Sequence, residues 1–165
     1  MPRANQTVYR LDNGEFKVYA DLSDVVDSDI NDMIIDDQGR AYIGNFGYDI
    51  FNHADPKDTT LVMIDTDGSH RVVADGLMFP NGMVLLNDGA TLVVAETFGN
   101  RLTAFDRGAD GSLSNRRVFA DLGEYTPDGI CLDEQDGIWV SSFATGDFIR
   151  VVDGGDITDQ FKVSA

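Results

Sequence analysis

The chain has 165 residues, enough for one domain with a real core, and its apolar fraction of 42% is ordinary for a folded protein. The charge is not ordinary: 29 acidic residues against 12 basic ones leave a formal net charge of −17. A surface of that sign repels phosphate backbones and anionic lipid, which argues against nucleic acid and membrane surfaces as partners.

The N-terminal run MPRANQTVYR carries no hydrophobic signal core, and no apolar stretch of the chain approaches transmembrane length. A soluble, cytoplasmic protein is the expectation, with the reservation that an export signal would be missing too if N-terminal sequence were. Residues 7–22, TVYRLDNGEFKVYADL, read as a hairpin turning at Asp12-Asn13-Gly14. INDMIIDDQGRAYIGNF follows from Ile30, with two apolar runs about a glycine turn. LVMIDTDGSHRVVADGL, from Leu61, is a second hairpin turning at Asp67-Gly68. Its DTDGSH begins like a calcium loop, but the twelfth position is Gly76 where that loop needs a glutamate, so it reads as a turn. PNGMVLLNDGATLVVAET, from Pro80, repeats the pattern of residues 30–46, and Glu96 near its end reads as an ordinary strand-end acid, with a place facing the channel as the alternative.

RLTAFDRGADGSLSNRRVFADL, from Arg101, is a third hairpin with a longer loop about Asp110-Gly111. The Gly-Asn-Arg run at residues 99–101 reads as a turn. PDGICLDEQDGIWVSSF, from Pro127, repeats the pattern a third time. Cys131 is the one cysteine, so no internal disulfide can form, and between apolar neighbours it reads as a buried structural thiol. IRVVDGGDITDQFKVSA, from Ile149, looks like the start of a further hairpin. Phe79, Phe105, Phe119 and Trp139 are expected in the core. His53 and His70 lie in polar loops without metal-ligand spacing, and Ser141-Ser142 lies in a strand rather than a nucleophile elbow.

The three similar segments open at Asn31, Asn81 and Asp128, which are 50 and 47 residues apart. No window shows a convincing helical period. A repeat near 50 residues with about four strands per unit predicts an all-β chain of β-propeller blades. The units are expected at about 8–50, 60–106 and 107–153 within one partial domain, about three to three and a half blades. Three blades do not close a ring, so association of two copies into a homodimer is one expected way to cover the open edges.

A recurring Asn-Gly or Asp-Gly pair has a plain explanation in turn chemistry. It also has a chemical one. The first residue of an innermost strand points at the propeller axis, so repetition brings short oxygen donors to one place, as a hard cation requires.

INDMIIDDQGRAYIGNFGYD, FPNGMVLLNDGATLVVAETFGNRLTAFD, GSLSNRRVFADL and PDGICLDEQDGIWV together resemble the senescence-marker-protein/gluconolactonase/luciferin-regenerating-enzyme family, from about residue 8 to residue 153. The resemblance is to the middle portion of these six-bladed propellers. It implies one divalent cation, calcium most often, with zinc, magnesium or manganese as alternatives. It implies metal ligation by Asn81 and Asp128, with Asn31 beside the metal or in contact with it, and a further glutamate ligand from a first blade that has no counterpart here. The implied activity is opening of a small-molecule lactone by metal-activated water, with Asp128 also accepting the proton of that water. Two alternatives stand beside it: a propeller hydrolase of phosphotriesters, and a fragment that binds a cation or partner without turnover. Sugar-lactone hydrolases of the family often carry an arginine two residues before the Asn of the NDM-type motif, where this chain has Asp29.

Overall fold

A computed structural model describes residues 4–163. A first hairpin pairs β1 (Thr7–Asp12) with β2 (Glu15–Asp21). Three four-stranded antiparallel sheets follow, each a simple meander. The first holds β3 (Ile30–Ile35), β4 (Ala41–Asn45), β5 (Thr59–Ile64) and β6 (His70–Leu77). The second holds β7 (Pro80–Leu86), β8 (Thr91–Glu96), β9 (Arg101–Arg107) and β10 (Leu113–Asp121). The third holds β11 (Pro127–Leu132), β12 (Ile138–Ser142), β13 (Asp147–Val151) and β14 (Ile157–Lys162). The expected all-β blades are present. No helix of the described residues is long and apolar enough to cross a membrane.

The hairpin turns form for the reason their sequences suggest. Asn13 and Gly14 have φ of +50° and +84°, the left-handed pair that a two-residue hairpin loop needs. The grouping of hairpins into sheets differs from the expectation. The sheets span 30–77, 80–121 and 127–162 rather than 8–50, 60–106 and 107–153, so each begins at its Asn or Asp motif. Turn residues mark which strands are neighbours, but not which strand is innermost. The run from Ile149 is also corrected. It forms a hairpin, as expected, but that hairpin of β13 and β14 completes the third sheet rather than beginning a further unit. The first three and last two residues of the chain, into which the readings of the N-terminus and of that final run extend, lie outside the described residues.

Three apolar layers hold the sheets together. Val8, Ala20 and Leu22 of the hairpin region pack on Ala41, Ile43, Val62 and Ile64 of the first sheet. The opposite face of that sheet sets Tyr42, Leu61, Met63 and Leu77 against Met83, Leu92, Val94 and Phe105 of the second. The second sheet then sets Val84, Val93, Leu102 and Phe119 against Ile138, Val140, Ile149 and Val151 of the third. Burying each large side chain contributes about 1.5–3 kcal/mol, so these layers outweigh the ion pairs between sheets. One ion-paired group still fixes the relative position of two sheets. Asp36 Oδ2 accepts from Arg40 Nε at 2.8 Å and from Arg107 Nη1 of the second sheet at 2.7 Å.

Two side chains depart from expectation because the last sheet has one face that no other sheet of the described chain covers. Cys131 is exposed, not buried. It pairs in register with Trp139, on the face opposite Ile130 and Val140. Trp139 is only half-buried, 5.6 Å from the Phe161 ring, rather than in the core. Phe79, Phe105 and Phe119 are buried as expected.

The first strands of the sheets, β3, β7 and β11, lie side by side. Neighbouring backbone comes so close to β7 that side chains are excluded at two points, one on β4 and one on β7 itself. A Cβ on Gly44 would lie 2.6 Å from the Pro80 carbonyl oxygen, and one on Gly82 would lie 2.6 Å from the Ile130 nitrogen and 2.7 Å from the Asp128 carbonyl oxygen. Gly129, at the matching point of β11, is different: a Cβ there meets only the Ser141 hydroxyl, at 3.7 Å. We therefore expect Gly82→Ala to lower unfolding stability by about 1–3 kcal/mol, with Gly129→Ala within about 0.5 kcal/mol of the parent. Urea denaturation of the two variants checks the contrast.

Candidate metal centre at the mouth of the inner strands

Each inner strand opens on an irregularity. Pairing of β3 with β4 skips from Ile30 to Met33, that of β7 with β8 from Pro80 to Met83, and that of β11 with β12 from Pro127 to Ile130. The residues inside the three bulges are Asn31-Asp32, Asn81-Gly82 and Asp128-Gly129. A β-bulge bends its strand and re-aims the side chain it carries. The motif repeat is thus a repeat of bulges at one end of the sheets.

The bulged side chains link each inner strand to the next. Asn31 Nδ2 donates to the Pro80 carbonyl at 3.3 Å. Asn81 Nδ2 donates to Asp128 Oδ1 at 2.6 Å and to Thr97 Oγ1 at 3.2 Å. Asn81 is buried, and Asn31 and Asp128 are half-buried. With both amide hydrogens of Asn81 engaged, the atom it can offer a cation is Oδ1. Asn81 and Asp128 are therefore in direct contact, and Asn31 reaches the residue that precedes Asn81.

Asp32 was not singled out by its sequence position. It shares the first bulge, and its carboxyl is raised above the usual range, first by desolvation and then by the charge of Asp128. The Asp32 and Asp128 carboxylates, set among amide oxygens, form a donor set suited to a hard cation. The fit relies on the amides. Among the described residues no three His, Cys, Asp or Glu side chains form a group that could hold an ion.

A second repeated device holds the three motifs in place, and sequence reading missed it. The last residue of the second strand in each sheet is polar, buried, and bonded to the segment just ahead of the inner strand. Asn45 Oδ1 accepts from Ser28 Oγ at 2.8 Å and from the Gly47 N–H at 3.0 Å. Glu96 Oε2 accepts from the Met78 N–H at 2.7 Å. Ser142 Oγ accepts from the Thr126 N–H at 3.1 Å. The available signal was the shared place of Asn45, Glu96 and Ser142 at the ends of AYIGN, TLVVAE and IWVSS.

Glu96 is the strongest of the three and is no ordinary strand-end acid. It is fully buried and takes a paired contact from Arg101, with Nε to Oε1 and Nη2 to Oε2 both at 2.9 Å. The Thr103 hydroxyl donates at 2.5 Å, and Arg116 approaches at 3.3 Å. The 99–101 turn thus also supplies the main partner of this carboxylate. Burial disfavours its charge, but the hydrogen bonds from Arg101, Thr103 and Met78 outweigh burial and hold its pKa below the usual value. A depressed carboxyl pKa contributes stability above its unfolded value of about 4.3, and that stability is lost as pH falls toward the folded value. We expect Glu96→Gln to cost about 2–3 kcal/mol at neutral pH and to flatten the acid limb of the stability profile below about pH 4.3. Urea midpoints measured between neutral and acid pH check both effects.

The chain matches the model of the SMP-30/Gluconolactonase/LRE-like region over residues 3–165. Pentonolactonase XacC of Haloferax volcanii is 30% identical over 148 residues, 84% of this chain and 47% of that protein. Regucalcin of Danio rerio is 28% identical over 137 residues, 80% of this chain and 45% of that protein. The chain thus spans about half the length of these curated relatives. A solved luciferin-regenerating enzyme superposes with a TM-score of 0.84 at 19% identity, over 96% of this chain and 57% of that one, and so shares the fold. With residues 3–165 of the chain matched by the family model and the blades in place, the chain belongs to the SMP-30/gluconolactonase/LRE-like family.

Proposed function

We propose that the protein opens lactones, using a divalent cation held by Asn31, Asn81 and Asp128, with calcium as the ion. The observation that carries this reading is the set of three aligned bulges, in which Asn81 and Asp128 touch at 2.6 Å. The similarity to a pentonolactonase supports the reaction class. An all-oxygen donor set, two of its three side chains neutral amides, supports calcium and leaves the ion with residual positive charge. When bound, the cation supplies Lewis-acid polarisation of the ester carbonyl.

The chain's own groups do the rest. Asp128 accepts a proton from the water that attacks the carbonyl carbon, and the hydrogen bond from Asn81 Nδ2 fixes which carboxylate oxygen is engaged. As the carbonyl–ring oxygen bond breaks, the proton passes from Asp128 to the departing alkoxide. The product is an open hydroxy acid, an anion at neutral pH. Asp32 and Asp128 at the mouth repel that product and favour its release. Asp29, at the place where an arginine would hold a sugar acid, acts in the same sense. A second reading, cation binding without turnover, is favoured by the lack of a third convergent acidic or imidazole ligand among the described residues.

Calorimetric titration with calcium and a pH-stat assay on glucono-δ-lactone and simple γ-lactones separate the two. We expect stoichiometric calcium binding, hydrolysis lost on chelation and restored by calcium, and kcat/KM lowered about 10²-fold or more by Asp128→Asn and by Asn81→Ala. Hydrolysis indifferent to chelator would overturn the metal-assisted mechanism. Calcium binding with no turnover of any lactone would favour the second reading.

A further inference from the structure

At the same end of the sheets, three connecting segments, β4–β5, β6–β7 and β8–β9, carry a cluster of five aromatic rings. Phe79 lies at its centre, with its ring stacked on Phe46 at 4.7 Å and edge-on to Phe98 at 4.9 Å. Tyr48 approaches Phe79 at 6.1 Å and Phe98 at 6.4 Å, and Phe51 lies 6.2 Å from Phe46. The cluster is tied to the proposed centre at both ends. Thr97, next to Phe98, accepts from Asn81 with its hydroxyl and donates its backbone N–H to the Phe79 carbonyl at 3.1 Å. Phe46 donates its N–H to the Asp29 carbonyl at 2.9 Å.

Two features set this cluster apart from ordinary core. Phe79 has φ of +58°, a conformation rare for a bulky residue, which persists only where the surroundings enforce it. The rings on the rim are also open to solvent: Phe51 is 71% exposed and Phe98 43% exposed. Exposed aromatic area held by a strained buried ring, beside a polar centre, has the composition of a small-molecule site: apolar walls and a few convergent polar groups.

We propose that this ledge binds the apolar substituent of an uncharged lactone, an alkyl or aryl group carried on the ring, while the ester faces Asn81 and Asp128. The proposal rests on the lactonase reading. Charge argues for a neutral substituent. Asp27, Asp29 and Asp49 line one cavity with Phe46, Tyr48 and Phe51, and the fixed positive charges beside these segments, Lys57 and Arg101, are committed to Asp27 at 2.8 Å and to Glu96 at 2.9 Å. An anionic substituent meets repulsion and no uncommitted partner in these loops. A polyhydroxylated substituent would lay hydroxyls on phenylalanine rings that offer them no hydrogen bond, whereas an alkyl chain loses nothing there.

The test uses the calcium-loaded chain with γ-nonanolactone, which carries a pentyl group, against γ-butyrolactone and glucono-δ-lactone. Binding is read by ligand-observed saturation-transfer NMR and hydrolysis by pH-stat. We expect γ-nonanolactone to bind about tenfold or more tighter than either comparator, with saturation reaching its pentyl chain. The exposed pair Phe51→Ala/Phe98→Ala should remove about tenfold of that advantage and leave γ-butyrolactone unchanged. Equal binding of the three lactones, or an advantage that survives the double substitution, overturns the proposal even if hydrolysis is seen. A double substitution that changes only the native mass overturns it in favour of contact with a second copy. Binding of γ-nonanolactone that depends on the two phenylalanines, with no lactone hydrolysed, upholds the ledge and overturns the lactonase reading instead.

Discussion

Everything at the functional end of this molecule depends on how closely its three innermost strands lie. Backbone of β11 approaches Gly82 so nearly that no side chain fits between them, and on the other side of β7 the Pro80 carbonyl sits equally close to Gly44 of β4, the strand paired with β3. Only at that spacing do short side chains reach from one inner strand to the next. Asn81 can then donate to Asp128 directly, and Asn31 can donate to Pro80. Longer residues at these positions would bridge a wider gap, but with more rotamers and less definite geometry. Asparagine and aspartate beside glycine are thus the side-chain and backbone halves of one constraint.

That constraint is kept in register by polar groups the apolar layers alone would not position. Burial fixes the separation of the sheets, but it is non-directional and tolerates sliding. The staples at Asn45, Glu96 and Ser142 are directional, and each holds the segment that enters an inner strand. Glu96 shows why such a group persists although burying a carboxylate is costly. Its charge is matched by Arg101 and Arg116 and its remaining acceptor capacity is used by Thr103 and Met78. Removal of one partner would leave the others buried and unpaired.

The acidity of the chain acquires a local meaning at the mouth. Much of it is turn chemistry, as Asp36, Asp67, Asp110 and Asp133 show by accepting backbone N–H groups two residues on. Asp32 is different, because desolvation and the neighbouring charge of Asp128 raise the cost of its own charge. On the lactonase reading proposed above, a cation would relieve that cost, and the same sign of charge would suit both the capture of the ion and the release of a hydroxy acid.

The sequence by itself determined the class of fold and the identity of the three motifs. Alternating apolar residues with Asn-Gly and Asp-Gly turns have a period of two that only strands satisfy, and a repeat near 50 residues is visible without any structure. It did not determine where a blade begins, because hairpin turns are alike at the inner and outer edges of a sheet. It placed Cys131 and Trp139 in the core because their neighbours are apolar, while only the stacking of sheets decides which face of β11 and β12 is covered. Glu96 read as an ordinary acid because its partners Arg101 and Arg116 meet it only across β8, β9 and β10. The aromatic ledge was likewise dispersed over Phe46, Tyr48, Phe51, Phe79 and Phe98. Local pattern reports what a strand prefers to face; which residues meet across two strands or two loops is fixed only when the sheets pack.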